Sequence, residues 1–168
     1  MQLPKTIHPD LLVAQELVYS LIGLTYDKLV QEEESKAYGA CVFRMHNSTI
    51  LFRAAKITPT KIGQFVTLWK RIGGGPIMPF DASDLFDKVI ISVRQGQRLG
   101  QFVFPKSVLC QQGIISKDAK GGKRAMRVYA PWDITDNQQA KRTQDWQRIY
   151  FFEIQPTLEI DQAKKLLV

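Results

Sequence analysis

The 168 residues suit one domain around a single core, and 45% apolar against 23% charged residues excludes a disordered chain. The formal net charge of +7, from 23 Lys and Arg against 16 acids, favours anionic partners over cationic ones. A membrane span is excluded: the apolar run over 11–29 is broken by Gln15, Glu16, Asp27 and Lys28, short of the roughly 18 apolar residues needed.

Pro9 suits the first turn of a helix, where its missing N–H costs nothing. Leu11, Ala14, Leu17, Val18, Leu21, Leu24 and Leu29 recur near helical spacing and predict one long amphipathic helix to about Gln31. Residues 38–45 and 49–55 read as strands joined by a turn through His46, Asn47, Ser48 and Thr49. From 60 to 71 the period does not choose between helix and strand. Gly73, Gly74, Gly75 and Pro76 then break the chain. They are no phosphate loop, because a Walker motif ends in Gly-Lys-Ser/Thr; Gly121-Gly122-Lys123 also fails, at Arg124. After Asp87, residues 89–93 and 100–104 form a second hairpin around Gln95, Gly96 and Gln97, closed by Pro105. Residues 124–130 predict a strand. Thr135 with Gln138 reads as a capping box for a helix to about Gln147. Residues 149–154 give a last strand and 158–168 a final helix. Without βαβ alternation this order predicts an α+β fold, one mixed β-sheet flanked by helices, in a single domain over 1–168.

Hydrolase templates are missing. The sequence has no Gly-X-Ser-X-Gly elbow and no His-Glu-X-X-His helix. Cys41 and Cys110 sit in apolar runs and read as buried free thiols, and with only His8 and His46 no zinc spacing exists. The acid-X-Lys triplets Glu34-Ser35-Lys36 and Asp118-Ala119-Lys120 are as frequent as chance supplies. Positive charge is more informative, because it is segregated. Residues 53–71 hold Arg53, Lys56, Lys61, Lys70 and Arg71 with no acid among them, and residues 117–127 hold five cations against Asp118 alone. Cations give phosphate affinity, amides read base edges and indoles stack, so Gln64, Trp69 and Trp132 join the candidates. For Trp69, beside Leu68, a core position is the stronger expectation.

Residues 53–71, Arg-Ala-Ala-Lys-Ile-Thr-Pro-Thr-Lys-Ile-Gly-Gln-Phe-Val-Thr-Leu-Trp-Lys-Arg, closely resemble a signature of the MepB family. Gln-Phe-Val-Phe-Pro-Lys-Ser-Val-Leu at 101–109 and Gly-Ile-Ile-Ser at 113–116 continue it. So do Arg-Ala-Met-Arg-Val-Tyr-Ala-Pro-Trp-Asp at 124–133 and Ala-Lys-Arg-Thr-Gln-Asp-Trp-Gln at 140–147. The resemblance covers most of the chain, from about residue 30 to 152.

It implies a core related to the restriction-endonuclease, PD-(D/E)XK, group and a role with nucleic acid. On that template Asp87 and Lys106 fall where the first acid and the lysine belong, and Glu34 offers a carboxylate from elsewhere. A catalytic set of Glu34, Asp87 and Lys106 follows, with Glu34 and Asp87 holding Mg²⁺ or Mn²⁺ if the site is active. Asp81, Asp84 and Asp133 are further carboxylate candidates. Phe104 stands where the second acid belongs, so the site reads as degenerate and binding is expected ahead of catalysis. The expected partner is nucleic acid or a nucleotide. Arg53, Lys56, Lys61, Lys70, Arg71, Lys106, Arg124 and Arg127 would contact phosphate, with Gln64, Trp132 and Gln144 near bases. The alternatives are a Mg²⁺- or Mn²⁺-dependent nuclease and a nucleotide- or partner-binding module. Residues 1–9 lack the apolar core of a secretory signal, so a cytoplasmic protein is expected.

Overall fold

The computed structural model describes residues 7–168. In chain order it contains α1 (Pro9–Ala14), β1 (Tyr26–Gln31), β2 (Cys41–Met45), β3 (Ser48–Ala54), β4 (Lys56–Ile57) and β5 (Gln64–Thr67). Then come β6 (Trp69–Arg71), β7 (Ile77–Pro79), β8 (Lys88–Gln95), β9 (Arg98–Pro105) and α2 (Lys106–Gln111). The chain closes with β10 (Ala125–Val128), α3 (Gln138–Gln147), β11 (Phe151–Gln155) and α4 (Ile160–Leu167). Six strands form one sheet in the order β1-β2-β3-β8-β9-β11, with every neighbouring pair antiparallel except β3–β8. The fold is therefore α+β around a mixed sheet. A smaller sheet, β10-β5-β4, and the ribbon β6–β7 stand apart from it.

The long helix read to Gln31 is a correction. The chain is helical only through α1 and a following π-helical turn at Gln15–Tyr19. Gly23, at φ 78°, then turns it out of the helix in a left-handed conformation that other residues adopt at a cost. Residues 26–31 pair with β2 instead, Tyr26 opposite Met45 and Gln31 opposite Cys41. The Tyr26 hydroxyl donates to Gln15 Oε1 at 2.8 Å and ties the strand back to the helix. Leu24 and Leu29 therefore matched a helical period while belonging to a turn and a strand.

Both hairpins form, the first with a tighter turn than expected because Ser48 and Thr49 already pair in β3. His46 and Asn47, at φ 49° and 62°, make the two-residue turn whose twist suits antiparallel strands. β8 and β9 pair from Lys88–Pro105 to Gln95–Arg98 around Gly96 and Gln97. Pro105 ends that strand and also N-caps α2, a helix the sequence reading lacks. The ambiguous stretch 60–71 resolves as β5 and β6: Gln64, Val66 and Leu68 turn inward at period two. The α3 cap differs too. Asn137, not Thr135, accepts from Ala140 N at 2.8 Å, the usual N-cap bond two residues further on.

The large sheet is covered on both faces, which is why β8 is an almost unbroken apolar run. On one face Phe43, Phe52, Ile90, Val103 and Ile154 pack under Leu11 and Val18 of the first helix and Leu167 of α4. On the other, Leu51, Val89, Ile91 and Phe104 meet Val66, Met126 and Val128 of the small sheet and Leu109 of α2. Cys41 and Cys110 are free thiols, the first buried and the second half-buried. Burial pushes the Cys41 thiol up to about 12, so at neutral pH it is no nucleophile. Among the described residues no helix is long and apolar enough to cross a membrane.

Candidate functional site

A cleft of about 620 Å³ opens between β10, the loop ahead of β5 and the helix α3. Its floor follows from strand alternation: Val128 and Ala130 are buried away from it, while Ala125, Arg127 and Tyr129 line the cleft, with Met126 reaching it from a buried position. β10 is an edge strand of the small sheet, and two glutamines of α3 bond to that edge and to the turn after it. Gln147 Oε1 accepts from Tyr129 N at 2.8 Å while its Nε2 donates to Arg127 O at 3.1 Å, replacing a missing strand neighbour. Gln144 Nε2 donates to the carbonyls of Ala130 and Asp133 at 2.9 and 2.8 Å. Gln144 is thus buried and committed, which corrects its reading as a base contact.

Three cations line this cleft: Lys61, Lys123 and Arg127. Among the described residues none of them forms an ion pair. Arg127 is fixed through one nitrogen. Its Nη1 donates to Thr58 Oγ1 at 3.0 Å and to the carbonyls of Gly63 and Ile62 at 3.2 and 3.4 Å, with the guanidinium 5.9 Å from the Phe65 ring. Asp136, at the entrance to α3, is the acid on the wall. Burial raises the Tyr129 phenol above its ordinary 10.0, against the lowering pull of Arg127, so the ring is neutral at physiological pH. The Lys61 loop is held by Gly63, at φ 80°, where a Cβ would stand 2.8 Å from two carbons of the Tyr129 ring. Gly63→Ala is therefore expected to cost about 1–3 kcal/mol in chemical denaturation and to displace the loop.

Lys123 arrives on a second loop, and an acid organises it. Asp81 accepts from Ser83 N and Oγ at 3.0 and 2.7 Å, from Ser116 Oγ at 2.7 Å and from Ala119 N at 2.9 Å. That bonding lets Asp118 and Ala119 adopt left-handed conformations at φ 51° and 60°. It presents Lys117, Lys120, Lys123 and Arg124, all exposed and none in an ion pair among the described residues. The four donors, chiefly the Ser116 hydroxyl, hold the Asp81 carboxyl far below its ordinary 3.8. A carboxyl with a depressed folded-state value contributes stability above its unfolded value, and that contribution is lost as pH falls through the folded one. Thermal melts taken from about pH 5 down to about pH 2 are expected to show wild type losing more stability than Asp81→Asn.

The other predicted binding residues are mostly spent elsewhere. Arg53 is a correction: its side chain is 0% exposed and pairs with Glu32 at 2.7 Å, so no external phosphate reaches it. Gln64 is buried and donates to Arg94 O at 3.0 Å. Lys70 pairs with Asp84 at 2.7 Å and Arg71 with Glu34 at 3.3 Å, which neutralises the β6–β7 ribbon. Half-buried Trp69 lies under Arg71, 5.7 Å away. Lys56 is exposed but lies over the Tyr38 ring at 4.9 Å. Trp132 donates to Gln95 Oε1, stacks under Arg98 at 4.5 Å and meets Phe151 edge-on. Of the predicted binding residues, Lys61 and Arg127 meet in the cleft and Arg124 stands on the adjoining loop.

Glu34, Asp87 and Lys106 are each bonded to a different neighbour. Asp87 Oδ2 accepts from Thr49 N at 2.8 Å, and its carbonyl accepts from Lys106 N at 2.9 Å, which puts the two residues side by side where β8 begins and β9 ends. The Lys106 ammonium instead donates to the carbonyls of Ala82 and Asp84, over the Phe86 ring. Glu34 belongs to Arg71. Phe104 is buried among Phe102, Trp146 and Tyr150. Asp133 caps the Ala130 N–H, and burial raises its carboxyl. Among the described residues no three His, Cys, Asp or Glu side chains stand close enough to hold a metal ion together.

A family model described as MepB-like matches residues 32–153. The crystal structure of MepB is similar over 79% of this chain and 89% of that one, with 33% identity and a TM-score of 0.75. No curated protein matches.

Proposed function

The chain belongs to the MepB-like family, and we propose that it binds the phosphate backbone of nucleic acid in the cleft between β10 and α3. One observation carries this reading. Lys61, Lys123 and Arg127 converge on one concave surface without acid partners among the described residues, whereas Arg53, Lys70, Arg71, Arg94 and Arg98 are each paired with a carboxylate. Three cations against the one acid Asp136 leave the cleft with a positive excess, which attracts a polyanion. Lys117, Lys120 and Arg124 on the neighbouring loop extend that field beyond the cleft.

The hydrolytic reading has no comparable support, because each member of its trio already serves a neighbour within the fold. Binding by three phosphate contacts releases about three counterions, giving a log–log salt slope near −3 on duplex or −2 on a single strand. A titration of a labelled oligonucleotide between about 50 and 200 mM salt measures that slope. A flat response removes the reading.

A further inference from the structure

The cleft carries an aromatic feature that charge attraction does not use. Arg127 and Tyr129 are two residues apart on one face of the chain, so their side chains emerge about 7 Å from each other. Arg127 is anchored through Nη1, and Nε and Nη2 have no partner among the described residues. Those two nitrogens present the paired donors that grip two oxygens of one phosphate. The Tyr129 ring has one side on Gly63. Among the described residues it has no ring neighbour, and its hydroxyl has no hydrogen-bond partner. The other aromatic rings of the cleft are occupied: Phe65 packs edge-on to Tyr38, and Trp146 packs against Phe104. Tyr129 is thus the cleft ring left for a ligand, beside a guanidinium with a free edge.

Resting on the polyanion reading, we propose that the cleft takes one unpaired nucleoside phosphate, its phosphate on Arg127 with Lys61 and Lys123, its base on the Tyr129 ring. A separation of about 7 Å suits the phosphate and the base of the same nucleotide. A volume near 620 Å³ lies within the range of small-ligand sites. A duplex keeps its base faces inside the stack and cannot offer one to a recessed ring, whereas a single strand or a free nucleotide can. The chain therefore selects unpaired nucleotides over duplex.

The test is fluorescence anisotropy with a labelled ten-nucleotide single strand, the same sequence as duplex, and adenosine monophosphate or ribose 5-phosphate as competitors. The single strand is expected to bind at least about tenfold tighter than duplex at equal salt. Adenosine monophosphate is expected to displace it at far lower concentration than ribose 5-phosphate, which separates free nucleotide from strand and base from phosphate. Tyr129→Leu is expected to weaken single-strand binding roughly 5- to 150-fold with the salt slope unchanged, and Tyr129→Phe to restore it. Should Tyr129→Leu fail to fold, the competitor series on wild type decides the matter. Equal affinity for duplex and single strand, with the two competitors equivalent, overturns the nucleotide site and leaves the polyanion reading standing. No salt-dependent binding of either nucleic acid overturns both.

Discussion

Glu32→Ala is expected to lower stability by about 3–5 kcal/mol, a large share of the 5–15 kcal/mol typical of a domain this size. The guanidinium of Arg53 lies wholly inside the protein, and its Nη1 bonds to Glu32 Oε1 at 2.7 Å and to Phe52 O at 2.8 Å. Its Nε, also buried, has no partner. Arginine does not shed its proton to escape such a site. Removing the carboxylate therefore strands a full charge between the two sheets, with neither water nor a counter-ion to solvate it. The pair as a whole is another matter. Both ions were taken out of water, so Arg53→Met with Glu32→Leu is expected to recover most of the loss. Urea denaturation of the single and double variants, with unchanged m-values, measures the difference.

The second large effect concerns binding. Lys61→Gln, Lys123→Gln and Arg127→Gln combined are expected to bring the salt slope from about −3 on duplex close to zero. Affinity at about 50 mM salt is expected to fall on the order of 100-fold. None of the three cations has an acid partner among the described residues, so no carboxylate is orphaned, and the cost to stability is expected to come mainly from the Arg127 Nη1 bonds to Thr58, Ile62 and Gly63. Lys70→Gln with Arg71→Gln makes the contrast. Those residues look equivalent by charge, yet Asp84 and Glu34 already neutralise them, and the slope is expected to stay where it was.

That contrast also shows why charge read along the chain misplaces part of the site. Residues 53–71 contain no acid, but their acids come from elsewhere: Glu32 to Arg53, Glu34 to Arg71 and Asp84 to Lys70. Only tertiary pairing separates these from Lys61 and Arg127. The hairpins, by contrast, are written locally. His46-Asn47 and Gly96-Gln97 supply the turns, and Pro105 supplies the stop. The first helix is shorter than its pattern suggests because Leu24 and Leu29 fall at helical spacing by coincidence, while Gly23 ends it.

Gln144 and Gln147 carry a different lesson. A glutamine on a polar helix reads as a surface group, and nothing nearby says that Gln147 completes a strand edge 18–20 residues upstream or that Gln144 holds the turn 11–14 residues upstream. Lys123 had a signal, the basic run over 117–127, but its neighbours carried the same charge. What distinguishes it is a loop shape fixed by Asp81, 42 residues earlier.

Mapping amide shifts of the ¹⁵N-labelled chain during titration with a short single-stranded oligonucleotide tests the cleft most directly. Perturbations are expected to form one patch over residues 60–65, 114–129 and 136–147, which line the cleft and the loop beside it. A patch on the α1 and α4 face, or along the β6–β7 ribbon, with the cleft unmoved, would contradict it.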